Sequence, residues 1–220
     1  MKTENTKPTQ EDRAEMLERT ARRDRIFLNN PVIMQGLGLA PLIVADTSLK
    51  NAVMLSVAVI LLLMPTRVIA AVLSRFTYFR FRGLPYALTS AAVYIGVLWA
   101  MNRLFPAADI ALLGLYLPLL VVDPIVLKRY ERPQRERMDT AFQKGFITAF
   151  GYALTLLLVG AVREILGAGT LYGAVIFKTA WFPIAKLPAG GFMLLALVMA
   201  LWRGAVFSFK KQMNMGGKLE

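Results

Sequence analysis

Apolar residues gather into six runs separated by polar connections, approximately Pro31–Ala45, Ala52–Leu73, Leu84–Leu104, Ile110–Val122, Phe146–Leu166 and Ala189–Ser208. The second, third, fifth and sixth are long enough to cross a bilayer core, which needs about 20 residues of α-helix. The first and fourth are too short for comfortable spans and carry helix-interrupting residues: Gly36, Gly38 and Pro41 in the first, Pro118 and Pro124 at the fourth. The pattern predicts an all-α integral membrane protein of six transmembrane segments, with the first and fourth short or broken. The membrane domain covers residues 31–209, in halves of about 31–104 and 108–209, between a polar segment at 1–30 and a tail at 210–220.

The polar start does not read as a signal peptide, because no apolar core follows a short basic stretch. Thr9 and Asp12 fit a capping box, and Glu15 with Arg19 and Glu18 with Arg22 are spaced i,i+4, so a helix is expected over Thr9–Phe27. Met16, Leu17 and Phe27 make only a thin apolar stripe. The helix either lies on the membrane or a partner subunit, or forms a solvated leader.

Composition agrees with a membrane protein: 56% of residues are hydrophobic and 18% charged. A net charge of +12 could point to nucleic acid, but position decides otherwise. Alternating the segments across a membrane puts 21 of the 26 Lys and Arg residues on the side of the termini. Lys50, Arg103, Arg163, Lys178 and Lys186 fall on the other. The positive-inside rule then places both termini in the cytoplasm, and the basic excess is an orientation signal and a lipid-headgroup contact. The chain has neither cysteine nor histidine, which excludes a disulfide framework, the common zinc and haem sites, and a Ser-His-Asp nucleophile.

The two short segments resemble each other. Pro41–Asp46 reads PLIVAD and Pro118–Asp123 reads PLLVVD, and each is followed by Leu-Lys, at Leu49-Lys50 and Leu127-Lys128. Three segments per half require the halves to be inverted, an arrangement in which interrupted helices meet near the midplane and build a site. Gly38, Pro41, Pro118 and Pro124 are the broken-helix elements of such a site. Asp46 and Asp123 are ion-pathway or charge-pair candidates, with Lys50 or Lys128 as partners, because an ionisable group at membrane depth is costly. Both can instead lie at the interface, depending on where the helices break. Arg163 and Glu164 precede a loop containing Gly167, Gly169, Thr170 and Gly173. They can neutralise each other or pair with another subunit, and the glycines permit a tight re-entrant turn. No phosphate-loop signature or catalytic constellation is present.

The stretches NNPVIMQGLGLAPL, LGLYLPLLVVDPIVL, VREILGAGTLYG and LPAGGFM carry a resemblance to the RnfE/NqrD family, membrane subunits of the Rnf and Nqr ion pumps. It spans roughly Asn29 to Phe207, with VREILGAGTLYG its most specific part. The resemblance implies a bacterial or archaeal cytoplasmic-membrane subunit of a redox-driven complex that translocates Na+ or H+. A sister subunit of the RnfA/NqrE type would pack against it, and flavins and iron–sulfur clusters would sit on partner subunits. It also implies a [2Fe–2S] cluster at the sister interface, with cysteine ligands at the positions of Ala40 and Pro124. Neither residue can bind iron, and Asp123 stands where the family usually has Asn. An ion-pathway and assembly role is therefore expected for this chain, which binds no cofactor alone. A stand-alone inverted-repeat secondary transporter is the alternative.

Overall fold

In the computed structural model the described residues are 24–74, 76–77, 81, 83–127 and 138–216. The first described residues form a turn. The Asp24 carboxylate accepts from the amides of Ile26, Phe27 and Leu28 at 2.9, 3.2 and 3.3 Å. By taking those amides the side chain competes with helical pairing, so the helix expected over Thr9–Phe27 does not include its last residues. The rest of that helix lies outside the described residues.

The first apolar run is broken as its prolines and glycines suggest. Asn30 caps α1 (Pro31–Gln35) by accepting from Val32 N at 2.9 Å, and Pro31 occupies the first turn, where no amide is needed. Gly36 ends α1 in the left-handed region, at φ 70°. After Gly38, also left-handed, the chain restarts at Pro41 as one wide π-type turn, Pro41–Ala45, closed by Asp46 N on Pro41 O at 2.9 Å. Ser48 then caps α2 (Leu49–Leu73), accepting from Asn51 N at 3.3 Å.

Helix α3 (Gly83–Leu104) folds back onto α2. The fourth run, expected over Ile110–Val122, is three pieces: α4 (Ala107–Leu113), α5 (Tyr116–Leu119) and a 3-10 turn, Leu120–Val122. Gly114 separates the first two at φ 51°. Helix α6 (Met138–Ala168) starts earlier than its apolar core predicts, because the polar and apolar residues of Met138–Lys144 add two amphiphilic turns at its start. A two-stranded hairpin (β1, Thr170–Leu171; β2, Ala174–Val175) and a 3-10 turn (Pro183–Lys186) lead to α7 (Pro188–Gly216).

Among the described residues, four helices are long and apolar enough to cross a membrane: Leu49–Leu73, Gly83–Leu104, Met138–Ala168 and Pro188–Lys211. They coincide with the four runs read as spans. At 1.5 Å per residue, α2 extends about 37 Å, against a hydrocarbon core of about 30 Å.

The core is the antiparallel contact of α2 with α6. Gly145 faces Arg67 and Leu63 at one end, Ser56 donates to the Ala153 carbonyl at 3.4 Å in the middle, and Gly160 faces Ala52 at the other. Without a hydrophobic drive between helices in lipid, small residues that let backbones approach gain van der Waals contact instead. A Cβ on Gly160 would stand 2.7 Å from that of Ala52, so the glycine sets the approach. Leu88, Ile95 and Trp99 of α3 and Phe192, Leu197 and Leu201 of α7 point outward, an apolar perimeter suited to lipid or neighbouring subunits.

Candidate functional site

The break in the first run leaves carbonyls without helical partners, and arginines from two helices take them. Arg163 on α6, fully buried, donates through Nη1 to Leu42 O, Ile43 O and Asp46 O at 2.8, 2.8 and 2.9 Å, and through Nε to Ala185 O at 2.9 Å. Its Nη2 lies 3.4 and 3.5 Å from Lys186 O and Leu187 O. On the other side of the break, Arg203 of α7 donates to Ile33 O at 2.9 Å and Met34 O at 3.0 Å. The five fixed donors of a guanidinium suit such a cluster, and hydrogen bonds to a charged group contribute about 1.5–3 kcal/mol each. Half-helix C-termini can hold translocated cations. Here guanidinium groups occupy them.

Glu164, adjacent in sequence, points elsewhere, since neighbouring helical residues do not face each other. Its Oε2 accepts from Leu49 N at 2.7 Å, at the start of α2, and its Oε1 from Thr170 Oγ1 and Gly173 N, both at 3.0 Å. Arg163 and Glu164 therefore act as two separate backbone caps. The carboxylate also sits favourably at the positive end of α2, and it shapes the glycine-rich turn, in which Gly169, Tyr172 and Gly173 have positive φ.

The two aspartates end in different surroundings. Asp123 is buried, with Oδ1 accepting from Ile125 N at 2.8 Å and Oδ2 3.5 Å from the hydroxyl of Tyr152. That hydroxyl donates to Gly38 O at 2.9 Å, so Tyr152 connects the two broken segments. Pro41 is buried at the head of its turn, whereas Pro118 is exposed within α5. Asp46 is 0% exposed and neither carboxylate oxygen has a hydrogen-bond partner among the described residues. Its Oδ1 rests on the bare Cα of Gly160, where an added Cβ would come within 2.5 Å. Lys50 does not pair with Asp46: its ammonium is 2.8 Å from Asp109 Oδ2. Lys128 lies outside the described residues.

Four contributors were not singled out from the sequence: Asn30, Tyr152, Gly160 and Arg203. Asn30 donates from Nδ2 to Ile26 O, Gly151 O and Thr155 Oγ1 at 3.0, 2.9 and 3.0 Å while capping α1. A signal existed for Asn30 and Tyr152, since a buried amide or phenol in an apolar run must find a partner. Gly160 and Arg203 carried none.

The family model for the Rnf-Nqr membrane subunit matches residues 20–199. This chain belongs to the Rnf-Nqr family of membrane subunits. Its relatives include the E-type subunit of the ion-translocating oxidoreductase complex of Shewanella oneidensis, 32% identical over 193 residues, covering 80% of this chain and 82% of that protein. Another is the E-type subunit of the Na(+)-translocating ferredoxin:NAD(+) oxidoreductase complex of Acetobacterium woodii, 31% identical over 188 residues, covering 80% and 91%. Within this Rnf-Nqr subunit, the iron-ligand positions implied by resemblance fall on exposed Ala40 and half-buried Pro124. A methyl group and a pyrrolidine ring offer iron no donor. These two positions cannot supply this chain's half of a four-cysteine iron–sulfur site.

Proposed function

We propose that this chain is an integral membrane subunit of an Rnf/Nqr-type, redox-driven ion-translocating electron-transport complex, serving the ion and electron pathway and assembly. The observation that carries the reading is the alignment of 80% of the chain with the E-type subunits of such complexes in two organisms. It favours a complex subunit over a stand-alone secondary transporter.

Several finer features belong to the same reading. The halves on either side of residues 104–108 are inverted repeats, supported by the hexapeptides that end both broken segments, PLIVAD and PLLVVD. A sister subunit of the RnfA/NqrE type packs against this chain, and the exposed apolar residues of α3 and α7 offer it a surface. The complex lies in a bacterial or archaeal cytoplasmic membrane with both termini of this chain in the cytoplasm, supported by the 21 basic residues assigned to that side. The coupling ion is Na+ or H+. Flavins and iron–sulfur clusters on partner subunits carry the electrons, because the two positions that would ligate iron here hold Ala40 and Pro124. Asp46, Asp123, Arg163 and Glu164 are the chain's ion-pathway or charge-pair candidates, and the hydrogen bonds made by the side chains of Asp123, Arg163 and Glu164 favour Asp46 for the ion pathway.

Affinity purification of the tagged full chain from native membranes in mild detergent tests the assignment. Co-purification of flavin-bearing subunits in fixed ratio is expected. A chain that elutes alone and moves a solute across liposomes would support the transporter instead.

A further inference from the structure

The hexapeptides PLIVAD and PLLVVD end on the same residue type, but the structure gives the two carboxylates unequal tasks. Asp123 closes a local turn on Ile125 N and faces Tyr152. Asp46 closes its turn through its backbone, with N on Pro41 O and O on Arg163, and its carboxyl group takes no part. Both oxygens are buried without a partner among the described residues. Oδ1 meets Gly160, beside the methyl of Ala52 and the carbonyl of Ser48.

The charged groups around it are already committed. Arg163 exerts an electrostatic attraction on Asp46 but spends its donors on backbone carbonyls. Glu164 faces Leu49, Thr170 and Gly173, Lys50 faces Asp109, and Arg203 of α7 binds the far side of the break. Lys186 offers its carbonyl to Arg163, and Tyr152 faces Gly38 and Asp123. A metal cation would need several oxygens converging on one point. The carbonyls that could converge here are already hydrogen-bonded to a cation, which would also repel another. A proton needs one oxygen and no cage.

From this geometry we infer that Asp46 is a proton-binding site of the subunit, protonated while it is buried. When the carboxyl reaches water it releases H+ and leaves a carboxylate whose charge Arg163 offsets; reprotonation reverses the step. Gly160 supplies the room for the carboxyl, and Tyr152, at the corresponding place, holds Asp123 to its structural role. This inference rests on the ion-pathway reading above and assigns the coupled ion at this site to H+.

The test is infrared difference spectroscopy of the full chain, alone or with its complex, in H2O against D2O. The expected result is a protonated-carboxyl carbonyl band that shifts in D2O, disappears in Asp46→Asn and persists in Asp123→Asn. In the reconstituted complex D46N is expected to lower coupled proton uptake at least tenfold. If D46N does not accumulate, Asp46→Glu should move the band rather than remove it. Identical carbonyl bands in wild type and both Asp46 variants would overturn the inference, as would unchanged proton uptake in D46N. The band without any flavin-bearing partner would instead sink the complex assignment and leave the proton site standing. Partners present with no such band would do the reverse.

Discussion

Tyr152 donates its hydroxyl to the carbonyl of Gly38 at 2.9 Å, and a Cβ on Gly38 would lie 2.6 Å from that hydroxyl. The glycine is thus required twice, for its φ of 68° and for the space the phenol occupies. Gly38→Ala should destabilise the protein by several kcal/mol, combining overpacking of about 1–3 kcal/mol with backbone strain of similar size. Tyr152→Phe should cost less, about 1–3 kcal/mol, by leaving a buried carbonyl unpaired. Thermal unfolding in detergent would rank the two; equal effects would mean that Tyr152 does not shape the break.

Arg163→Lys should fail as a conservative change. An ammonium has three donors and no planar fork, so it cannot serve Leu42, Ile43, Asp46 and Ala185 together. A loss of about 3–5 kcal/mol is expected, the range for disrupting a buried charged network. Limited proteolysis should show a loosened 36–48 segment, and wild-type resistance would contradict the role.

Glu164→Gln keeps the shape but turns one acceptor into a donor, leaving Leu49 N or Gly173 N facing an N–H group. Hydrogen exchange should quicken at those amides, with a stability loss of about 1–3 kcal/mol. Unchanged protection at both would remove Glu164 from its capping role.

Gly160→Ala should push α2 from α6, because the new methyl meets both Asp46 Oδ1 and Ala52 Cβ. The expected cost is about 1–3 kcal/mol. Asp109→Asn, by contrast, keeps the side chain's shape and removes a pair whose Lys50 and Asp109 side chains are 50% and 16% exposed. That change should stay below about 1 kcal/mol. A reversed order in a melting series would contradict the packing described.

The four long helices were legible because lipid demands long apolar runs with every backbone group paired internally. The break in the first run was legible at Gly36, Gly38 and Pro41, because proline and glycine interrupt that pairing locally; the break in the fourth was not, since it falls at Gly114 while Pro118 lies within α5. Arg163 was visible only as a charge, because the carbonyls it binds are freed about 120 residues earlier in the chain. The difference between Asp46 and Asp123 could not be read from nearly identical hexapeptides. It comes from α6, which offers a glycine to one and a tyrosine to the other, eight residues or about 12 Å apart along the helix. Periodicity reports which side of a helix is apolar; it does not report which distant polar group arrives there.

Redox-driven ion uptake into inverted membrane vesicles from cells with and without this chain decides whether it serves an ion-translocating complex. Removing the chain should abolish uptake on addition of reduced donor, and restoring it should return uptake to the original rate. Undiminished uptake without the chain would contradict its place in an ion-translocating oxidoreductase complex.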